Sequence, residues 1–150
     1  MRLAGNPLAV VHDADALDER TMLAFAIETK LSETSFVQTR RAAGADYRNR
    51  IFSMAGELPF AGHPSLGTAV AVARRRGVSG EAVYVQETGA GLQPIEVLIE
   101  GDAASTSMLQ EPPRFGPELD PPRCWPRSAW TTGMPTRTCR PRPSPPAFGR

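Results

Sequence analysis

The chain has no excess of either charge. Seventeen Lys and Arg stand against sixteen Asp and Glu over 150 residues, a net charge of +1, and this argues against a general nucleic-acid or membrane-surface role. Cysteine is scarce. Cys124 and Cys139 fit neither a disulfide framework nor a zinc spacing, and His12 and His63 are too few to complete a metal site, so no metal is expected. No apolar run approaches the roughly 20 residues that span a bilayer, and the N-terminus lacks a basic segment followed by a long apolar one. A cytoplasmic protein is expected, with no membrane partner. The 41% hydrophobic and 22% charged fractions are ordinary for a globular chain, and the length suffices for one domain with a core.

The stretch 59–77, PFAGHPSLGTAVAVARRRG, carries helix signals at both ends. Pro64 suits a first helical position, where the amide hydrogen it lacks would have no partner inside the helix. Leu66, Ala69, Val70, Ala71, Val72 and Ala73 follow with hardly a polar side chain among them. Such a helix is apolar round most of its circumference and belongs in an interior. Arg74, Arg75 and Arg76 complement the carbonyl end of the dipole, and Gly77 suits the left-handed conformation that stops a helix. At the other end, free N–H groups around Gly62, His63, Ser65 and Leu66 point at whatever precedes the helix, a place suited to an anion. Gly62 admits a close approach to the backbone, and a histidine donates or accepts protons near neutral pH. Equally, His63 caps the helix and Gly62 makes its turn; Gly-His-Pro alone does not choose.

The remaining elements read in order. Residues 8–12 (LAVVH) form a short buried strand, after a turn at Gly5, Asn6 and Pro7. Asp18 caps a helix running to about Lys30, with Met22, Phe25, Ala26 and Thr29 on one face and Leu23 and Ile27 beside it. Residues 35–39 and 47–53 are strands, and three more follow at 81–88, 92–100 and 104–110. Strands on both sides of an all-apolar helix predict an α+β fold, a curved and mainly antiparallel sheet wrapped round that helix, and not a βαβ alternation. Glu33 falls at a junction between elements, beside two hydroxyls and flanked by Leu31 and Phe36. Partial desolvation would suit such a carboxylate to proton transfer, whereas a solvated glutamate is the commoner occupant of such a place. Glu57 reads either as a second acid or as the partner of a nearby arginine.

Four blocks in order, GNPLAVV, ETKLSETSFV, RIFSMAGELPFAGHPSLGTAVAVA and MLQEPPRFG, resemble the PhzF family of phenazine-biosynthesis-like isomerases, which shares its fold with diaminopimelate epimerase and proline racemase. The resemblance covers residues 5–120. It implies two similar lobes, each a sheet round a central helix, with the active site between them. It also implies that Glu33 moves a proton on a small cyclic carboxylic acid without a cofactor. His63 would assist, and the backbone at the helix start, Gly62 to Ser65, would hold the substrate carboxylate. The GHP block has no cysteine, so one carboxyl group taking a proton from one carbon and returning it to another fits better than thiol-based racemisation. The family favours dimers, which makes a homodimer the expected assembly.

Two departures stand out. Only residues 1–4 precede the GNP block, so a first strand is expected to be missing. From residue 121 onward the chain holds both cysteines, both tryptophans, eight prolines and six arginines but no Asp, Glu or Lys. A GC-rich coding region reads this way out of frame, and a frameshift near residues 121–123 that replaces the second lobe is the expectation. This divides the chain into a PhzF-like lobe at 1–120 and a disordered, non-homologous tail at 121–150. It leaves open whether this truncated product is a working isomerase, an inactive lobe, or an interaction module that uses the basic proline-rich tail.

Overall fold

In the computed structural model, residues 5–110 and Pro112 are described. The expectations of a missing first strand, of a shifted reading frame and of a disordered tail carrying Cys124 and Cys139 concern residues outside the described ones.

Seven strands form one mixed sheet: β1 (Ala9–Val11), β2 (Thr34–Gln38), β3 (Tyr47–Ser53), β4 (Gly56–Leu58), β5 (Gly80–Thr88), β6 (Gly91–Glu100) and β7 (Ala103–Met108). Two helices join the sheet among the described residues, α1 (Glu19–Thr29) and α2 (Gly62–Arg75), with a short 3-10 turn at Ala14–Ala16. The strand order is β1-β2-β3-β5-β6-β7, and β4 pairs with β3 off this path. Four of the six pairings are antiparallel, as expected. The other two, β1 with β2 and β3 with β5, are parallel. A parallel pair needs a crossover, and α1 and α2 lie in those connections, so two helix crossovers sit within a sheet that is mainly antiparallel.

The sheet curls into a half-barrel with α2 inside, touching β2 and β3 on one side and β6 and β7 on the other. Ala69, Val72 and Ala73 of α2 bury against Tyr47, Tyr84, Ile95, Val97 and Ile99. Small residues on the helix let the sheet close round it. The opposite face of β2 and β3 carries Phe36 and Phe52, which pack with Met22 and Ala26 of α1. Their rings meet edge to face, with centroids 5.5 Å apart and planes at 89°; each fully buried aromatic or Met contributes about 2–3 kcal/mol. The α1 stripe is narrower than its pattern suggests, since Phe25 and Ile27 remain 43% and 48% exposed. No helix among the described residues is long and apolar enough to cross a membrane.

Capping follows the sequence closely. The Asp18 side chain accepts from the Thr21 amide at 2.7 Å to start α1. Gly77, at φ 68°, ends α2, where the Gly77 and Val78 amides donate to the Arg74 and Ala73 carbonyls at 3.0 Å. The start of α2 differs. Ala61 is the N-cap, so Pro64 is the third helical residue, not the first.

Candidate active site

Glu33 is held by the way α1 hands over to β2. Lys30 closes α1 in the left-handed conformation at φ 54°. Thr29 Oγ1 donates to the Ala26 carbonyl at 3.1 Å and lies 3.3 Å from Thr34 Oγ1. This brace straddles the turn and fixes the residue before β2. Side chains alternate across a strand, so positions 33, 35 and 37 share a face, and Val37 on that face packs against the core around α2. Glu33 therefore stands on the α2 side, at the end where the helix begins.

His63 is the second residue of α2. Its Nδ1 lies 3.6 Å from Glu33 Oε2, with side chains 33% and 22% exposed. The helix start around it has no side-chain cap and no acidic residue in its first turn. The Ser65 amide already donates to the Ala61 carbonyl at 3.2 Å, and Pro64 has no amide hydrogen. The free donors are therefore the amides of Gly62 and His63, which find no acceptor among the described residues. Two unpaired N–H groups at the positive end of a helix dipole form a seat for an anion. The Gly62 amide, named in the substrate-binding expectation, is one of these two donors. Ser65, the other residue of that expectation, has its amide engaged and its buried side-chain oxygen without a partner among the described residues.

Glu57 is not part of this cluster. It accepts from Arg50 through both carboxylate oxygens, at 2.7 and 2.5 Å, and Glu19 reaches the same guanidinium at 3.2 Å. These carboxylates push the Arg50 pKa above its ordinary value, the Glu57 hydrogen bond most of all, against the opposing effect of burial. Arg50 also lies 5.2 Å over the Phe52 ring, on the α1 side of the sheet. The reading of Glu57 as a second acid gives way to the arginine pairing.

Other residues reach the tip that no local pattern singled out. Asn6 Nδ2 lies 3.3 Å from His63 Nδ1, and Ser32 Oγ donates to Asn6 Oδ1 at 3.4 Å. From the end of β7, a Cβ placed on Gly62 would come within 3.4 Å of Gln110 Nε2 and 3.8 Å of Met108 Cε. Asn6 and Gln110 lie in blocks that carry the family resemblance, which was the available signal. The assembled groups are a carboxylate, an imidazole and two free backbone donors, enough to seat a carboxylate and move a proton beside it.

A family model described as phenazine biosynthesis-like protein matches residues 2–124. An isomerase of Mesorhizobium japonicum, described as uncharacterised, is 49% identical over 90 residues, 60% of this chain and 30% of that protein. The trans-2,3-dihydro-3-hydroxyanthranilate isomerase of Pseudomonas chlororaphis is 53% identical over 70 residues, 47% of this chain and 25% of that enzyme. Among solved structures, a Pseudomonas aeruginosa protein described as a predicted epimerase aligns at TM-score 0.65 and 34% identity, covering 71% of this chain and 38% of that one. A Bacillus anthracis phenazine biosynthesis protein of the PhzF family aligns at 0.62 and 34%, covering 71% and 35%. The chain spans about a third of the length of the curated relatives it matches.

Proposed function

The chain belongs to the phenazine biosynthesis-like (PhzC-PhzF) family, and from that membership we propose that it carries the proton-transfer half of a cofactor-independent isomerase site acting on a small carboxylic acid. The observation that carries the reading is the 3.6 Å approach of Glu33 Oε2 to His63 Nδ1 at an uncapped helix start. In this reading the Gly62 and His63 amides hold the substrate carboxylate. The Glu33 carboxylate removes a proton from one substrate carbon, becomes the neutral acid, and returns the same proton to another carbon as the double bond moves. No electron leaves the substrate and no co-reactant is consumed.

Retention of that proton requires a dry site, and both side chains are still a fifth to a third exposed. The reading therefore calls for a covering body over the α2 tip, from further chain or from a second copy. Given the isomerase named among the relatives, trans-2,3-dihydro-3-hydroxyanthranilate is the first substrate to test. Conversion is followed by NMR in deuterated buffer, with Glu33→Gln as comparison. The reading expects turnover by the unaltered protein that Glu33→Gln removes. Turnover that survives the substitution, or no turnover of this acid or related cyclic acids, overturns it.

A further inference from the structure

The side-chain amide of Asn6 addresses the same ring nitrogen that faces Glu33. Asn6 Nδ2 stands 3.3 Å from His63 Nδ1, while its Oδ1 accepts from Ser32 Oγ at 3.4 Å. Ser32 is the residue next to Glu33, so a single chain of contacts links the proposed acid to the orientation of the amide. An imidazole nitrogen has one site in the ring plane, occupied by a lone pair or by an N–H. An amide N–H aimed at Nδ1 requires the lone pair there, and the proton of the neutral ring then resides on Nε2.

We propose that Asn6 is a positioning residue that fixes neutral His63 as its Nε2–H tautomer and keeps Nδ1 committed as an acceptor. The inference rests on the proposed function only for its consequence. With Nδ1 occupied, a proton taken up by Glu33 is not handed across the 3.6 Å gap to the imidazole. It stays on the carboxyl group that must return it. Nε2, buried and without an acceptor among the described residues, becomes the hydrogen-bond donor of the ring.

The test needs no substrate. His12 is the only other histidine, so 15N-labelled histidine gives two rings, assigned with a His12→Gln variant. At an alkaline pH where both rings are neutral, a pyridine-type Nδ1 signal and a pyrrole-type Nε2 signal identify the tautomer of His63. The unaltered protein should show the Nε2–H form. Asn6→Ala should lower the Nε2–H to Nδ1–H ratio by about fivefold, the worth of one ordinary hydrogen bond. Asn6→Asp should invert the preference, because a carboxylate accepts from Nδ1–H. Ser32→Ala, which leaves the amide present but unanchored, should give a smaller shift in the same direction and serves if the Asn6 variants fold poorly. An Nδ1–H ring in the unaltered protein, or a ratio unmoved by these substitutions, overturns the proposal. Failure of the isomerase reading would leave these spectra as expected, and failure of the tautomer assignment would leave turnover and its loss in Glu33→Gln as they are, so the two outcomes are separable.

Discussion

Glu33 Oε2 and His63 Nδ1 meet at 3.6 Å, although thirty positions separate them in the chain. The turn from α1 into β2 supplies one and the first turn of α2 supplies the other, and the contact of α2 with β2 brings them together. In the proposed site the carboxylate does the chemistry. Glu33→Gln keeps the shape and removes the titrating group, so turnover should fall by about 10²–10⁴-fold, the usual range for a lost general acid–base. Its melting temperature should stay close to that of the parent, because Glu33 Oε2 makes no hydrogen bond among the described residues. Steady-state rates and a thermal melt on the same sample check both halves.

Glu57 should behave in the opposite way. Arg50 keeps only 13% of its side chain exposed and donates two hydrogen bonds to Glu57. Glu57→Gln leaves a partly buried guanidinium dependent on Glu19, which is 71% exposed. The expected cost is about 1–2 kcal/mol, between the values for exposed and buried pairs, read as a lower urea midpoint. Turnover per folded molecule should be unchanged. A large loss of turnover with intact stability would return Glu57 to the site.

A pH dependence follows from Glu87. Burial raises its pKa, but amide donors from Ala42 and Arg41, with Arg48 and Arg41 nearby, outweigh that and hold it below the ordinary glutamate value of 4.5. The two amides approach Glu87 Oε2 at 2.8 and 2.7 Å, pinning the loop between β2 and β3. A depressed carboxylate stabilises the fold fully above its unfolded pKa and loses that contribution as pH falls through the folded one. Glu87→Gln should therefore be less stable than the parent near neutrality, by about 1–2 kcal/mol, with the gap closing below pH 4.5. Urea melts of both proteins across the acid range check this, and a gap that widens on acidification contradicts it.

The elements whose signals are local were legible in the sequence. Asp18 and Gly77 mark ends because capping and left-handed termination involve only a few neighbouring residues. The start of α2 was misplaced for a physical reason: the first-turn amides are unpaired whatever the residue, so proline loses nothing at the third position and does not report which position it holds. Strand β4 spans only Gly56–Leu58, too short for a periodicity to show. The parallel pairings depend on which distant strand lies alongside, and no local pattern encodes that. Each site residue was ambiguous by itself, since the glutamate and the histidine become a pair only through a long-range contact. Asn6, in a Gly-Asn-Pro turn, read as a turn former, and nothing local distinguished that from an amide aimed at an imidazole.

The last prediction concerns what holds the helix tip in place. A Cβ on Gly89 would come within 3.0 Å of Pro59 Cα and 3.3 Å of its carbonyl oxygen, and the next amide, Ala90, donates to that same oxygen at 3.0 Å. The β5–β6 turn therefore lies directly on the backbone two residues before Ala61, the N-cap of α2. A flexible side chain could move aside, whereas a backbone tethered to a helix cannot do so cheaply. Alanine would restrict the unfolded chain and recover about 0.4–1 kcal/mol, but overpacking costs about 1–3 kcal/mol, so the clash prevails. Gly89→Ala should lower the urea midpoint and, by displacing residues 59–61, perturb the His63 ring signals. Gly5→Ala, where an added Cβ meets nothing within 4 Å, should do neither. Equal stability of the two variants would show that the turn does not brace the helix start.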